Sequence, residues 1–248
     1  LVLNGQVYGG ELSLAFSFSG QMFARATIER LARAYEAELA ALVEHCQAPQ
    51  GLTPSDFPLA GLSQGQLDAL PVAVAEIEDI YPLSPMQQGM LFHSLSDAGD
   101  DLYVNQLSLP VAGLEQERFR AAWQHVIGRH EILRTSFHWE GGQSAPLQVV
   151  HRHVDVAMTV LDWRARTFTA ADLEAVARAQ RGFDLGQVPL QRLLLVRTGD
   201  AEHQLVWTSH HILMDGWSSS QLFGEVLQHY ASGEVTGDSG RHREFIAS

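Results

Sequence analysis

The 248-residue chain is 46% hydrophobic, which supplies enough apolar material for one large domain or two smaller ones with real cores and excludes a disordered chain. Its 16 basic residues against 29 acidic ones leave a net charge of -13, which opposes binding to nucleic-acid phosphates or to an anionic membrane surface. A single cysteine, Cys46, excludes a disulfide framework and a cysteine-based zinc site, and it points to a reducing, cytoplasmic setting.

No apolar run reaches the roughly 18 residues of a membrane span, and the opening LVLNGQVYGG has neither a basic start nor a signal-peptide core. Lacking an initiating Met and starting in a strand-like run, it reads as a piece of something longer. Leu1 and Leu3, then Leu12, Leu14, Phe16 and Phe18, alternate with smaller or polar residues around Gly9 and Gly10, which predicts a hairpin with one buried face.

Residues 26–46 place Ile28, Leu31, Tyr35, Leu39, Leu42 and Cys46 at helical spacing, with charges on the opposite face. The stretch 47–85 is rich in proline and shows no sustained periodicity, so a boundary is expected within it, near residue 75. Ser84 as N-cap, Pro85 at the first helical position and Gln87 at the third then form a capping box ahead of Met90, Leu91 and Leu95. The aromatic and methionine residues of 86–92 are expected in the core.

Further helices are expected over 115–129, 169–181 and 218–230, and strands over 103–109, 132–138, 147–151, 154–160, 192–197 and 204–210. Strands interleaved with helices predict an α/β or α+β sandwich, a sheet covered by helices.

Residues 209–217 read SHHILMDGW. In an extended strand His211 shares a face with Ser209 and Trp207 while His210 shares the other with Thr208, so both rings reach one cavity only if the strand has ended. The adjacency also disfavours a metal site, because ligands on one strand prefer alternate positions and no further ligand cluster lies nearby in the sequence. Two readings stay open: a structural pair with satisfied ring nitrogens, or a catalytic imidazole with Asp215 fixing the loop or a tautomer. The turn at Asp215-Gly216, and the capping box expected from Ser218 and Gln221, place the pair between a strand end and a helix start, where α/β proteins put chemistry.

Four collinear stretches carry a resemblance: YPLSPMQQGMLFHSL (81–95), RHEILRTSF (129–137), RGFDLGQVPLQRLLLVR (181–197) and SHHILMDGWS (209–218). Together they resemble condensation domains of nonribosomal peptide synthetases, which have the chloramphenicol acetyltransferase-like fold and an HHxxxDG signature. The resemblance implies the N-terminal lobe only over 81–248, after a linker at 71–80. Residues 1–70 resemble, through GGELSLAFSFSGQMF and LTPSDFPLAGLSQGQLDAL, the C-terminal end of an epimerization domain. That order implies a D-terminated donor and an L-acceptor.

The implied reaction is amide formation, an acyltransferase-like step in which an aminoacyl amine on a downstream carrier domain attacks a peptidyl thioester on an upstream one. Both substrates hang from phosphopantetheine arms, so no cofactor, nucleotide or metal is bound directly, and an adenylation domain sits elsewhere in the assembly. By resemblance His211 orients or deprotonates the amine and His210 packs behind it. Asp215 is a loop-holding or ion-pairing group, with Arg134 as a candidate partner, and Gly216 permits close backbone approach. Arg129, Arg134, Trp217 and Ser209 are supporting or tunnel residues. Competing readings are a stand-alone acyl-CoA acyltransferase of the same fold and a didomain-junction segment without activity of its own, since one lobe cannot enclose a tunnel.

Overall fold

Gly9 and Gly10, with φ of 61° and 86°, turn the chain between β1 (Val2–Tyr8) and β2 (Glu11–Ser17), and two successive positive φ values match the twist that a two-residue hairpin needs. The computed structural model describes residues 1–47, 51–96, 102–140, 145–235, 243 and 246, and it divides into two compact units, Leu1–Gly51 and Leu52–Ser248. In the first unit α1 (Arg25–Gln47) follows the hairpin, and Phe16 meets Tyr35 edge-on at 6.1 Å. The expected apolar face is largely uncovered: Ile28 is buried, but Leu31 and Leu42 are 43% and 56% exposed and Cys46 is exposed too. The hairpin likewise has no buried face, since β1 is exposed throughout.

The second unit begins earlier than the expected boundary. A turn at Pro54–Asp56 is capped by Thr53, and the short helix α2 (Gln64–Asp68) is capped by Ser63 with Gln66 bonding back. Phe57, Leu62, Leu67 and Leu70 pack with Ile77, Ile80, Leu147 and Val149, so residues 52–70 share a core with β3 and β6 of the second unit. The stretch expected as a linker at 71–80 holds a turn at Val74–Glu76 and the start of β3 (Ile77–Pro82), which pairs antiparallel with β6 (Leu147–His151). Its mixed polar pattern hid it. Residues 48–50 of the proline-rich stretch lie outside the described residues.

Two sheets build this unit, one in the order β3-β6-β5 and one in the order β4-β9-β8-β7. The first is completed by β5 (Thr135–His138) beside β6. The second joins β4 (Val104–Ala112), β9 (Glu202–His210), β8 (Gln191–Arg197) and β7 (Met158–Asp162), antiparallel except for β7 beside β8. Period-2 alternation divides the central strands between two layers. Leu193, Leu195, Leu205 and Trp207 join the large core with α4 (Gln116–Arg129) and α6 (Gly216–Ser232), while Leu194, Val196 and Val206 pack with Ala177 of α5 (Ala170–Arg178).

The mixed α/β expectation therefore holds, with local differences. The strand expected over 132–138 opens with a tight turn at Glu131–Arg134, and the one expected over 154–160 is shifted to Met158–Asp162, where pairing with β8 begins. Helix α4 buries Phe119, Ala122, Trp123, Val126 and Ile127 on one face, as its periodicity predicts. In α3 (Pro85–Ser96) the capping box forms: Ser84 N–H donates to Gln87 Oε1 at 3.0 Å and Gln87 N–H to Ser84 Oγ at 3.3 Å. Its core expectation fails at Met86 and Phe92, which are 71% and 68% exposed, whereas Leu91 is buried. None of the described helices is long and apolar enough to cross a membrane.

Candidate active site

Strand β9 stops at His210, and Leu213 N–H closing on the His210 carbonyl at 3.2 Å turns the chain. The strand end separates the two imidazoles. His210 is 4% exposed, lies 6.4 Å from the Tyr103 and Phe183 rings, and its Nδ1 accepts from Ile212 N–H at 3.1 Å. His211 is half-buried, its N–H donates to the Tyr103 carbonyl at 2.7 Å, and its Nδ1 lies 3.0 Å from Asn105 Nδ2. Packing thus commits His210 to the interior and leaves His211 the accessible ring.

A cavity of about 430 Å³ opens beside this turn, lined by Asn105, Trp207, Ser209, Gly216, Ser219 and Phe223 among others. Ser209 reaches it from β9 and Gly216 from the first turn of α6. A side chain at Gly216 would meet no protein atom within 4 Å, so the close approach expected there is not made by the chain itself. Trp217 is 76% exposed.

Asp215 is the N-cap of α6: its Oδ1 accepts from Ser218 N–H at 2.7 Å and its carbonyl from Ser219 N–H at 2.9 Å. The capping box expected from Ser218 and Gln221 is displaced by this aspartate three residues earlier. Backbone and side-chain hydrogen bonds from Ser218, and then the nearby His211, hold the Asp215 carboxyl below its ordinary pKa. An ionised cap suits the positive end of a helix dipole.

Asp215 is not the partner of Arg134. That guanidinium is buried and bonds Glu78 at 2.6 Å, Ile127 O at 3.2 Å, Arg152 O at 3.3 Å and also His151 O. Arg129 pairs at 3.3 Å with Glu225, which also takes His130 Nε2 at 2.8 Å. Both arginines thus hold scaffold rather than the histidine turn.

Two supports were missed by reading the sequence. Gln87 and Gln148 bond each other through their amides at 3.2 and 3.4 Å, and Gln87 Nε2 donates to Ile212 O at 3.3 Å, anchoring the residue after the pair to α3 and β6. The other is Asn105. A glutamine at the third helical position signalled only a cap, and no local pattern connects Asn105 with His211.

Burial lowers His210 to about 4 and His138 to about 4, with His211 and His151 adding to it respectively. Their ordinary value is 6.5, so between these limits the unfolded chain binds protons that the folded chain refuses. Their contribution is complete above pH ~6.5 and is lost as pH falls toward ~4, with a linkage cost of about 3 kcal/mol per histidine. Urea unfolding across this range should show stability falling on acidification, with a shallower fall in His138→Asn. Equal slopes in wild type and variant contradict the assignment.

The description "Condensation domain" belongs to the family model that matches residues 77–245. Over 242 residues the chain is 43% identical to a subunit of the linear gramicidin synthase of Brevibacillus parabrevis, covering 94% of this chain and 5% of that protein. Over 240 residues it is 38% identical to a subunit of the mycosubtilin synthase of Bacillus subtilis, covering 93% of this chain and 9% of that protein. The chain thus spans less than a tenth of either relative.

The starter condensation domain of rhizomide synthetase superposes with a TM-score of 0.59 at 24% identity, over 68% of this chain and 43% of that one. A four-domain nonribosomal peptide synthetase bound to AMP and glycine superposes with a TM-score of 0.60 at 22% identity, over 74% of this chain and 14% of that one. These likenesses bear on the fold, which is that of the N-terminal lobe of a chloramphenicol acetyltransferase-like domain.

Proposed function

The chain belongs to the condensation-domain family, and from that premise we propose that it forms the N-terminal lobe of a peptide-bond-forming domain in a nonribosomal peptide synthetase. The donor is a peptidyl thioester on an upstream carrier, the acceptor is the amine of an aminoacyl thioester on a downstream carrier, and both arrive on phosphopantetheine. An adenylation domain supplies the acceptor, and the parent works in the cytoplasm.

The observation that carries this reading is the division of labour in the histidine pair. His210 is locked in the interior, while His211 is half-buried and bonded to Asn105, a residue lining the cavity at the strand end. Holding two tethered substrates in line supplies much of the rate of such a reaction, and one imidazole at their meeting point supplies a further polar contact. Ser209 and Gly216 border the same cavity, and Asp215 keeps the turn and helix start in place.

Residues 1–70 are the end of an epimerization domain, of which 52–70 pack into the core of the second unit. The 94% coverage of this chain by the gramicidin synthase match extends well before residue 77, where the condensation match starts, which supports one continuous synthetase segment. A preceding epimerization step makes the donor D-terminated. The lobe alone is inactive.

The test is single-turnover amide formation by the complete parent synthetase, with D- or L-terminated donors loaded on the upstream carrier. Product from the D-donor and little from the L-donor is expected. Equal use of both would overturn the D-donor assignment, and amide formation from a free acyl-CoA without carriers would favour a stand-alone acyltransferase.

A further inference from the structure

Strand β4 is an edge of its sheet, and its start grips His211 twice. The Tyr103 carbonyl accepts the His211 N–H at 2.7 Å, and Asn105, which is paired with Ser209 in the ladder, brings Nδ2 to 3.0 Å from His211 Nδ1. Tyr103 has a φ of 62°, a left-handed conformation that a bulky side chain rarely adopts, so the backbone is held out of its ordinary range where it meets the histidine. Asn105 is exposed and is the only side chain that the structure places in hydrogen-bond contact with His211 among the described residues.

An amide N–H can only donate, so the ring nitrogen facing it must be the unprotonated one. With Nδ1 accepting, the hydrogen of a neutral imidazole sits on Nε2. We propose that Asn105 is a positioning residue that fixes His211 as the Nε2–H tautomer, so that His211 meets the substrates as a hydrogen-bond donor.

This inference rests on the proposed condensation reaction and decides between two roles that the family reading leaves open for His211. A ring carrying its hydrogen on Nε2 cannot take a proton from the amine at that nitrogen. It can donate to oxygen, and the oxygen that gains negative charge as the amine attacks is the thioester carbonyl oxygen. In that step the C–N bond forms while the carbonyl π pair moves to oxygen, and collapse then breaks the C–S bond and expels the carrier thiolate. The proton lost by the nitrogen goes to that thiolate, directly or through water, and His211 ends the cycle in the state in which it began.

The test is the long-range nitrogen–proton correlation spectrum of the chain labelled with nitrogen-15 in its histidines, recorded above the ordinary histidine pKa of about 6.5. His211 is assigned by the signal lost in His211→Gln. The expected results are Nε2–H in the wild type, a mixture of tautomers in Asn105→Ala, and Nδ1–H in Asn105→Asp, where a carboxylate accepts instead of donating. Nδ1–H in the wild type, or a tautomer indifferent to both substitutions, overturns the proposal.

The same variants in the parent synthetase separate this inference from the reading beneath it. Asn105→Ala should slow single-turnover amide formation about tenfold, the equivalent of one lost hydrogen bond of about 1.4 kcal/mol. Asn105→Asp should slow it at least as much, although it frees Nε2 to act as a base. Full activity in Asn105→Asp with a switched tautomer overturns the donor role. If instead His211→Ala is fully active, the condensation reading of the site fails while the tautomer result stands as measured.

Discussion

Arg134→Met is expected to destabilise the second unit by about 3 kcal/mol, the lower end of the cost of stripping one partner from a buried charged network. The guanidinium ties the end of α4 through Ile127 O, the end of β6 through His151 O, the following Arg152 O, and β3 through Glu78. Its side chain is 6% exposed, so a methionine fills similar space but leaves three carbonyls facing an apolar chain. Glu78 is 37% exposed and recovers much of its hydration when the arginine is removed, so most of the cost falls on the three carbonyls. Urea titrations should show a lower midpoint for Arg134→Met at unchanged m-value. A midpoint equal to wild type would mean that the arginine is replaceable scaffold.

Elements whose pattern is local were legible in the sequence. A short run of strand-favouring residues, LVWTSH, marks β9, and the five apolar residues of one α4 face mark that helix. Ser84 and Gln87 announce their own cap because both halves of the bond lie within one turn. The strand at 77–82 was not legible, because its burial is decided by β6, about seventy residues later in the chain, and its proline reads as a break.

Within the site, His210 and His211 were identified as a pair, and their separation into an interior ring and an accessible one follows from the strand ending between them. Arg134 was misassigned because its partners, Glu78 and two carbonyls at and after the end of β6, come from segments that no spacing connects with it. Asn105 lies 106 residues from His211 and meets it only through the β4–β9 ladder. The resemblance of the four motifs implied the reaction class, whereas the hydrogen-bond partners of His211 are set by tertiary pairing.

The second large effect concerns rate. His211→Ala should lower amide formation in the parent synthetase by about 100-fold or more, the range for loss of one well-placed proton-transfer or hydrogen-bonding group. On the proposed reaction the fall should appear in the chemical step, since the substitution leaves Ser209, Gly216 and Asn105 lining the cavity. Stability should change little, since the ring is half-buried and bonds only the exposed Asn105 among the described side chains. His210→Ala should behave in the opposite way, losing stability through a cavity among Tyr103 and Phe183 while a folded population keeps its rate.

The most direct measurement is the single-turnover rate of amide formation by the complete synthetase, wild type against His211→Ala, with both carriers loaded and the two proteins compared at equal folded fraction. A rate lower by about 100-fold or more is the predicted result. Equal rates would contradict the account, leaving SHHILMDGW as a strand end and helix cap with no part in the chemistry.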